Sequence, residues 1–126
     1  MAPSIQSYDF HTYYNPADEA EKKFTTEFRE KVQKEFAKEL EAGDLRIHKF
    51  WQERIGPHPI PMWELDTAGK HDPALFARVL GFYLLNHGNL SVLIHPRTGA
   101  GDLTDHTKYA LWLGHKQRLI TSFLKD

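Results

Sequence analysis

The sequence predicts an α+β fold of the ferredoxin-like, split βαβ type, in which both helices cover one face of an antiparallel sheet. Three observations carry that expectation. Short segments rich in aromatic and β-branched residues alternate in polarity. Two longer segments carry apolar residues at helical spacing. The two kinds follow one another as β-α-β-β-α-β, with a C-terminal appendage.

The first strand is read over "SIQSYDFHTYY", residues 4–14. Asn15 and Pro16 then supply a capping side chain and a ring with φ preset for a helix start. Asp18 and Glu19 fall in the first turn, where the helix dipole favours them. Phe24, Phe28, Val32, Phe36 and Leu40 make a slowly drifting apolar stripe, and Gly43 closes the helix. "DLRIHKFWQERI" reads as a second strand, and "PMWELD" as a third after the turn "GPHP". Asp72 and Pro73 open the second helix, which buries Leu75, Phe76, Val79, Leu80, Tyr83 and Leu84 and ends within 86–89. "LSVLIH" is the fourth strand. "PRTGAGDLTD" turns the chain into a short helix from Thr104, capped by Asp102 or Asp105 and anchored by Trp112 and Leu113, with "KQRLITSFL" as a possible extension.

Composition limits the function. The 126 residues suit one domain, residues 1–126, with an ordinary 40% hydrophobic and 26% charged content. A net charge of -1 without a basic block argues against nucleic acid or an anionic membrane as partner. No apolar run approaches the roughly 20 residues of a spanning helix. "MAPSIQSYDF" has neither the basic nor the apolar region of a secretory signal, so a cytoplasmic location is expected. With no cysteine, disulfides and thiolate metal sites are excluded.

Eight histidines are many for this length. In a ferredoxin-like sheet of spatial order 4-1-3-2, the first strand lies beside the fourth. His11, His58 and His95 then converge on the face that the helices leave open, with Glu64 reaching them from the third strand. Imidazole is the commonest protein ligand for transition metals, and histidines with a carboxylate suffice for a non-haem metal with open positions. His71, His87 and His115 fall at helix ends or turns and read as solvated surface. The open face and the aromatics Tyr13, Tyr14, Trp51 and Trp63 suggest a homodimer that shields the site.

The segments "FHTYYNP", "RIHKFWQERIGPHPIPMWEL" and "LSVLIHPRTGAGDLTDHTKYALWLG" add specificity. Through them most of the chain, roughly "YDFHTYY" to "ALWLG", resembles the DOPA 4,5-dioxygenase family of small aromatic ring-opening enzymes. The resemblance implies a ferredoxin-like domain that tends to pair. It also implies extradiol cleavage of a catechol such as L-DOPA, using non-haem iron(II) and dioxygen; another divalent ion such as zinc can take the iron's place. It marks His11, His48, His58, His95 and His106 as family histidines. Beside the ligands His11, His58, His95 and Glu64, a histidine not bound to metal can move a catechol proton, and His48 and His106 are the candidates. Tyr13, Trp51 and Trp63 can wall an aromatic substrate, or else serve the core or a dimer interface. Arg46, Arg54 and Arg97 can pair with a substrate carboxylate. Two other readings stand beside this one. The first is a dimeric module that binds a small aromatic molecule or metal without catalysis. The second is an RNA-recognition-like sheet, which the charge balance disfavours.

Overall fold

The computed structural model describes residues 4–126. In chain order the elements are β1 (Ser7–Tyr13), α1 (Glu19–Glu35), α2 (Ala37–Ala42), β2 (Arg46–Ile47), β3 (Met62–Asp66), α3 (Pro73–Asn86), β4 (Val92–Arg97), α4 (Asp102–His106) and β5 (Leu111–Leu113), followed by a 3-10 turn at Thr121–Phe123. The strands form one sheet in the order β2-β3-β1-β4-β5, and every neighbouring pair is antiparallel. The fold class is the one the sequence predicts, with β5 added as an edge.

Alternation along β1 divides the molecule. Phe10 and Thr12 turn to the helix side, and Asp9, His11 and Tyr13 to the other. The register carries that division across the sheet, because His11 stands opposite Glu64 of β3 and Asp9 opposite His95 of β4. On the helix side Phe10, Trp63, Leu65, Val92 and Ile94 pack against Phe28, Val32, Val79 and Tyr83 as the main core. A smaller cluster of Tyr13, Met62 and Leu93 lies on the second face. Trp51, Ile55, Ile60, Trp112 and Leu119 cover it, so loops and the C-terminal segment close part of the face expected to be open.

Several element boundaries differ from expectation. The first helix starts later: Asn15 makes a local turn by accepting from the Ala17 amide, and Asp18 is the N-cap, accepting from Glu21 N–H. An apolar stripe with a four-residue step rotates by about 40° per step, so it cannot face one sheet throughout. Phe24 at its start is accordingly exposed, and the helix breaks at buried Phe36 between α1 and α2. Gly43 does end α2, in the left-handed conformation at φ 77°. The second strand shrinks to Arg46–Ile47, although His48 N–H and Trp51 N–H still donate to the carbonyls of Glu64 and Met62. In α3, capped by Asp72, Leu75, Val79 and Tyr83 are buried while Leu84 is exposed.

The C-terminal helix is the largest correction. α4 has a Gly101 N-cap and no side-chain cap from Asp102 or Asp105. Asp105 instead accepts from Thr98 N–H and Thr98 Oγ1, while Asp126 accepts from Thr104 N–H. Residues 111–113 become β5, and the chain beyond forms no α-helix, only the 3-10 turn, while tertiary hydrogen bonds hold its backbone. Ile120 N–H donates to the Pro57 carbonyl, and Asp102 N–H to that of Lys125. Tyr13, Tyr14 and Trp63 are buried within the chain, so they no longer argue for a second copy. No helix of the described residues is long and apolar enough to cross a membrane.

Two glycines allow a test of opposite signs. At Gly114, φ is 68° and an added Cβ would meet the Leu90 carbonyl oxygen at 2.8 Å. Gly81 lies inside α3 with nothing within 4 Å of such a Cβ. Gly114→Ala is expected to lower stability by roughly 1–3 kcal/mol, and Gly81→Ala to raise it by roughly 0.5–1 kcal/mol. Chemical denaturation of the two variants checks both signs.

Candidate metal centre

On the second face, His11 of β1, His95 of β4 and His106 of α4 each place a ring nitrogen within 4.8 Å of the other two. All three are buried, and His95 is fully so. The His95 and His106 rings are 3.8 Å apart between centroids, and His11 and His95 5.2 Å. The strand pairing accounts for two of them, and the turn 98–101 returns the chain so that α4 supplies the third. Asp105 clamps that turn through Thr98 at 2.6 Å.

Hydrogen bonds define which nitrogens are bare. His95 Nδ1–H donates to the Pro96 carbonyl at 3.0 Å, and His106 Nδ1–H to that of Asp102 at 2.7 Å. A carbonyl only accepts, so each neutral ring keeps a lone pair on Nε2. This is how metal-binding histidines are commonly oriented, through the nitrogen that does not bind. His11 Nε2 lies 3.1 Å from the bare His95 Nε2 and therefore donates to it. That leaves His11 Nδ1 bare, buried and without a hydrogen-bond partner. Its nearest acidic group is Glu64, with Oε1 at 3.8 Å. The orphaned Nδ1 can take up the proton of Nε2, which then joins the two preset lone pairs in a set that fits a cation. Metal–nitrogen bonds of about 2.1 Å span donors up to about 4.2 Å apart, so small side-chain rotations close the triad on one ion.

Electrostatics keep the rings neutral, as ligation requires. Burial, with neighbouring imidazoles and Arg97 adding to it, holds His11 well below its ordinary value and His95 down to about 3. Burial first, then His106, lowers His58 to about 4, and burial lowers His106. The carboxylates move the other way. Burial and then Asp9 push Glu64 up to about 7. Burial also raises Asp9, against the lowering effect of its Arg97 ion pair at 2.8 Å.

The predicted site residues divide under this geometry. The histidines expected as ligands were His11, His58 and His95; the structure joins His106, not His58, to the other two. The His58 ring packs against His11 at a tilt of 38°, with 4.5 Å between centroids, and hydrogen-bonds through Nδ1 to the Tyr13 hydroxyl at 2.6 Å. Glu64 faces His11 from the outer side. Asp9, His11 and Glu64 make a second group of the same compactness, and His48, Glu64 and Asp66 a third. His48 is 42% exposed at the β2 edge and bound to Asp66 at 2.7 Å, so it is not brought to the triad. Trp63 is not brought there either, since its indole N–H donates to Thr25 on the helix side of the sheet. Trp51 lies half-buried with Lys49 over its ring, and exposed Arg54 sits over Phe123. Arg46 is held by Asp66, and Arg97 by Asp9 and Asp102. Of the three histidines read as surface, His71 and His115 are exposed, while His87 is half-buried and bonded to the Leu90 carbonyl.

Asp9 and Asp66 belong to the neighbouring groups of close donor atoms, and sequence reasoning missed both. Asp9 had a signal: it lies two residues before His11 and therefore on the same strand face. The clamp by Asp105 had none, because it depends on the three-dimensional path of the turn.

The profile of the Dopa 4,5-dioxygenase family matches residues 8–123. An uncharacterized 21.2 kDa protein of Botryotinia fuckeliana is 34% identical over 125 residues, and a DOPA 4,5-dioxygenase of Amanita muscaria 27% identical over 110 residues. These matches cover 94% and 87% of this chain. The chain spans only 63% and 46% of the length of those two relatives. A crystal structure of a candidate dioxygenase from Nostoc punctiforme superposes with a TM-score of 0.73 at 30% identity, covering 94% of this chain and 90% of that one.

The buried imidazoles make metal-free stability depend on pH. A histidine with a depressed folded value leaves the unfolded chain binding more protons below about 6.5, so stability falls as pH drops from there toward 4 or 3. Glu64, raised from 4.5 to about 7, acts oppositely between those values. Four lowered histidines against the two raised carboxyls, Glu64 and Asp9, keep the slope positive. Each uncompensated proton contributes about 1.4 kcal/mol per pH unit. Denaturation midpoints of metal-free protein should fall between pH 6.5 and 5, and His58→Asn should flatten the dependence.

Proposed function

The chain belongs to the Dopa 4,5-dioxygenase family, and from that premise we propose that it opens the ring of a catechol, L-DOPA being the example the family suggests, with non-haem iron(II) and dioxygen. The observation that carries this reading is the triad of His11, His95 and His106, buried, neutral and with the second nitrogens of two rings tied to carbonyls. The reaction joins both atoms of dioxygen to the substrate as a ring carbon–carbon bond beside the diol breaks, giving a yellow semialdehyde.

Iron(II), when bound by those three imidazoles, supplies Lewis acidity toward the catechol oxygens and the redox partner for dioxygen. The remaining chemistry belongs to the chain. The carbonyls of Pro96 and Asp102 fix the rings of His95 and His106. The bare Nδ1 of His11 accepts the proton that Nε2 must release to become a ligand, and Glu64 lies on that side to receive the new N–H. Glu64 is thus assigned to positioning His11 rather than to ligation.

For acid–base work the geometry favours His58 over His48 and His106. His58 is neutral at physiological pH, touches His11, and ends on the Tyr13 hydroxyl. That hydroxyl both donates and accepts, so it supports either imidazole tautomer and lets His58 take a catechol proton and return it. Burial raises the Tyr13 hydroxyl, so it stays protonated in this role. The surrounding apolar cluster of Met62, Leu93 and Trp112 limits water at the reacting ring.

Anaerobic loading with iron(II), followed by a catechol panel with oxygen uptake and visible absorbance, tests the proposal. Replacing His11, His95 or His106 by Asn should reduce metal content itself. His58→Asn should keep the metal and lower kcat by about 10²- to 10⁴-fold. If iron-loaded protein binds catechols yet consumes no oxygen with any of them, the reading as a dioxygenase fails.

A further inference from the structure

The C-terminal segment that follows β5 forms one wall of a cavity of about 220 Å³ that reaches His106. His106 and Trp112 line it from the sheet side, and Lys116, Gln117 and Arg118 from the segment. This is below the roughly 300–1,000 Å³ of pockets for drug-sized ligands and suits a single-ring molecule. Trp112 stacks on Tyr13, with 5.7 Å between ring centroids, so one wall is aromatic. Two anchors hold the segment in place. Gln117 Nε2–H donates to Ser91 Oγ at 2.9 Å, and Ile120 N–H to the Pro57 carbonyl at 2.8 Å.

The charge of this lining is one-sided. Lys116 and Arg118 are exposed, and among the described residues neither takes part in an ion pair. No aspartate or glutamate lines the cavity. Arg97, the other arginine near the triad, is already held by Asp9 and Asp102. A ring that enters beside Trp112 toward His106 therefore presents its side chain to two free cations and to no anion.

We infer that this cavity is the side-chain subsite of the proposed reaction, and that it selects catechols bearing a carboxylate without an ammonium group. Lys116 and Arg118 are its specificity residues. The inference rests on the ring-opening reading for its substrate, but it is a separate statement about charge. A zwitterionic side chain gains from the two cations through its carboxylate and loses through its ammonium, which finds no partner there. A neutral side chain gains nothing.

The test is anaerobic binding to the full iron-loaded chain, followed by steady-state turnover, with 3,4-dihydroxyphenylpropionate, L-DOPA and 4-methylcatechol. Charge-assisted hydrogen bonds of the usual strength correspond to about 10- to 100-fold in affinity. The propionate should bind more tightly than 4-methylcatechol by that factor, with L-DOPA between them. K116Q/R118Q should erase the preference while metal content holds. K116E/R118E should turn the preference toward dopamine, which carries only the ammonium. No preference in the parent protein, or one that survives K116Q/R118Q, overturns the inference and leaves the ring-opening reading intact. If no catechol binds at all, both fall together; binding with the charge preference but without oxygen uptake supports the subsite and removes only the reaction.

Discussion

Everything at the candidate site depends on the register of the central strand. β1 pairs with β3 on one side and β4 on the other, and its alternation puts Phe10 in the main core and His11 among the imidazoles. A slip of one residue would exchange those faces, driving His11 and Asp9 into an apolar core and Phe10 into the polar cluster. The apolar demand for Phe10, Val92, Ile94 and Leu65 against the helices is therefore also what aligns His11 with Glu64 and Asp9 with His95. Stability on one face sets chemistry on the other.

That coupling decided what could be read in advance. The sheet order followed from the pattern of elements, because each strand showed alternation and each helix an apolar face. His11 and His95 were legible as a pair, since neighbouring antiparallel strands bring residues of like parity to one face. The third member was not. Both His58 and His106 belong to irregular connections, and no periodicity tells which connection bends inward far enough. The turn before α4 is pinned by the Asp105–Thr98 pair, and the loop carrying His58 by the Tyr13 hydroxyl; both are tertiary contacts. The proposal that the two residues exchange roles rests on that difference in placement.

The same limit explains the aromatics and the tail. Trp63 and Tyr13 lie in neighbouring strands and share no face: register partners Thr12 and Trp63 point to the helices, while Tyr13 and Met62 point away. Composition alone could not separate a core tryptophan from a substrate wall, but strand parity does. The segment "KQRLITSFL" has the apolar spacing of a short helix, yet the Ile120 amide is claimed by the distant Pro57 carbonyl, and only the 3-10 turn at Thr121–Phe123 forms. Local propensity was too weak to prevail over an edge strand and two tethers.

Burying several imidazoles together is costly for a fold that gains nothing from them as packing. Neutral rings avoid the full penalty of buried charge, but His11 still carries a nitrogen without a partner, and His95 is removed from solvent entirely. Apolar side chains at those positions would pack as well and leave no lone pair exposed to a low-dielectric interior. An electron-poor partner on those nitrogens would offset that cost, since a ligand that binds the folded state alone stabilises it. On this view the tension in the metal-free chain and the chemistry of the site have one origin. The hydrogen bonds that orient His95 and His106 turn the lone pairs of their Nε2 atoms inward, where His11 Nε2 meets that of His95, and the sheet gives His11 Nδ1 no partner.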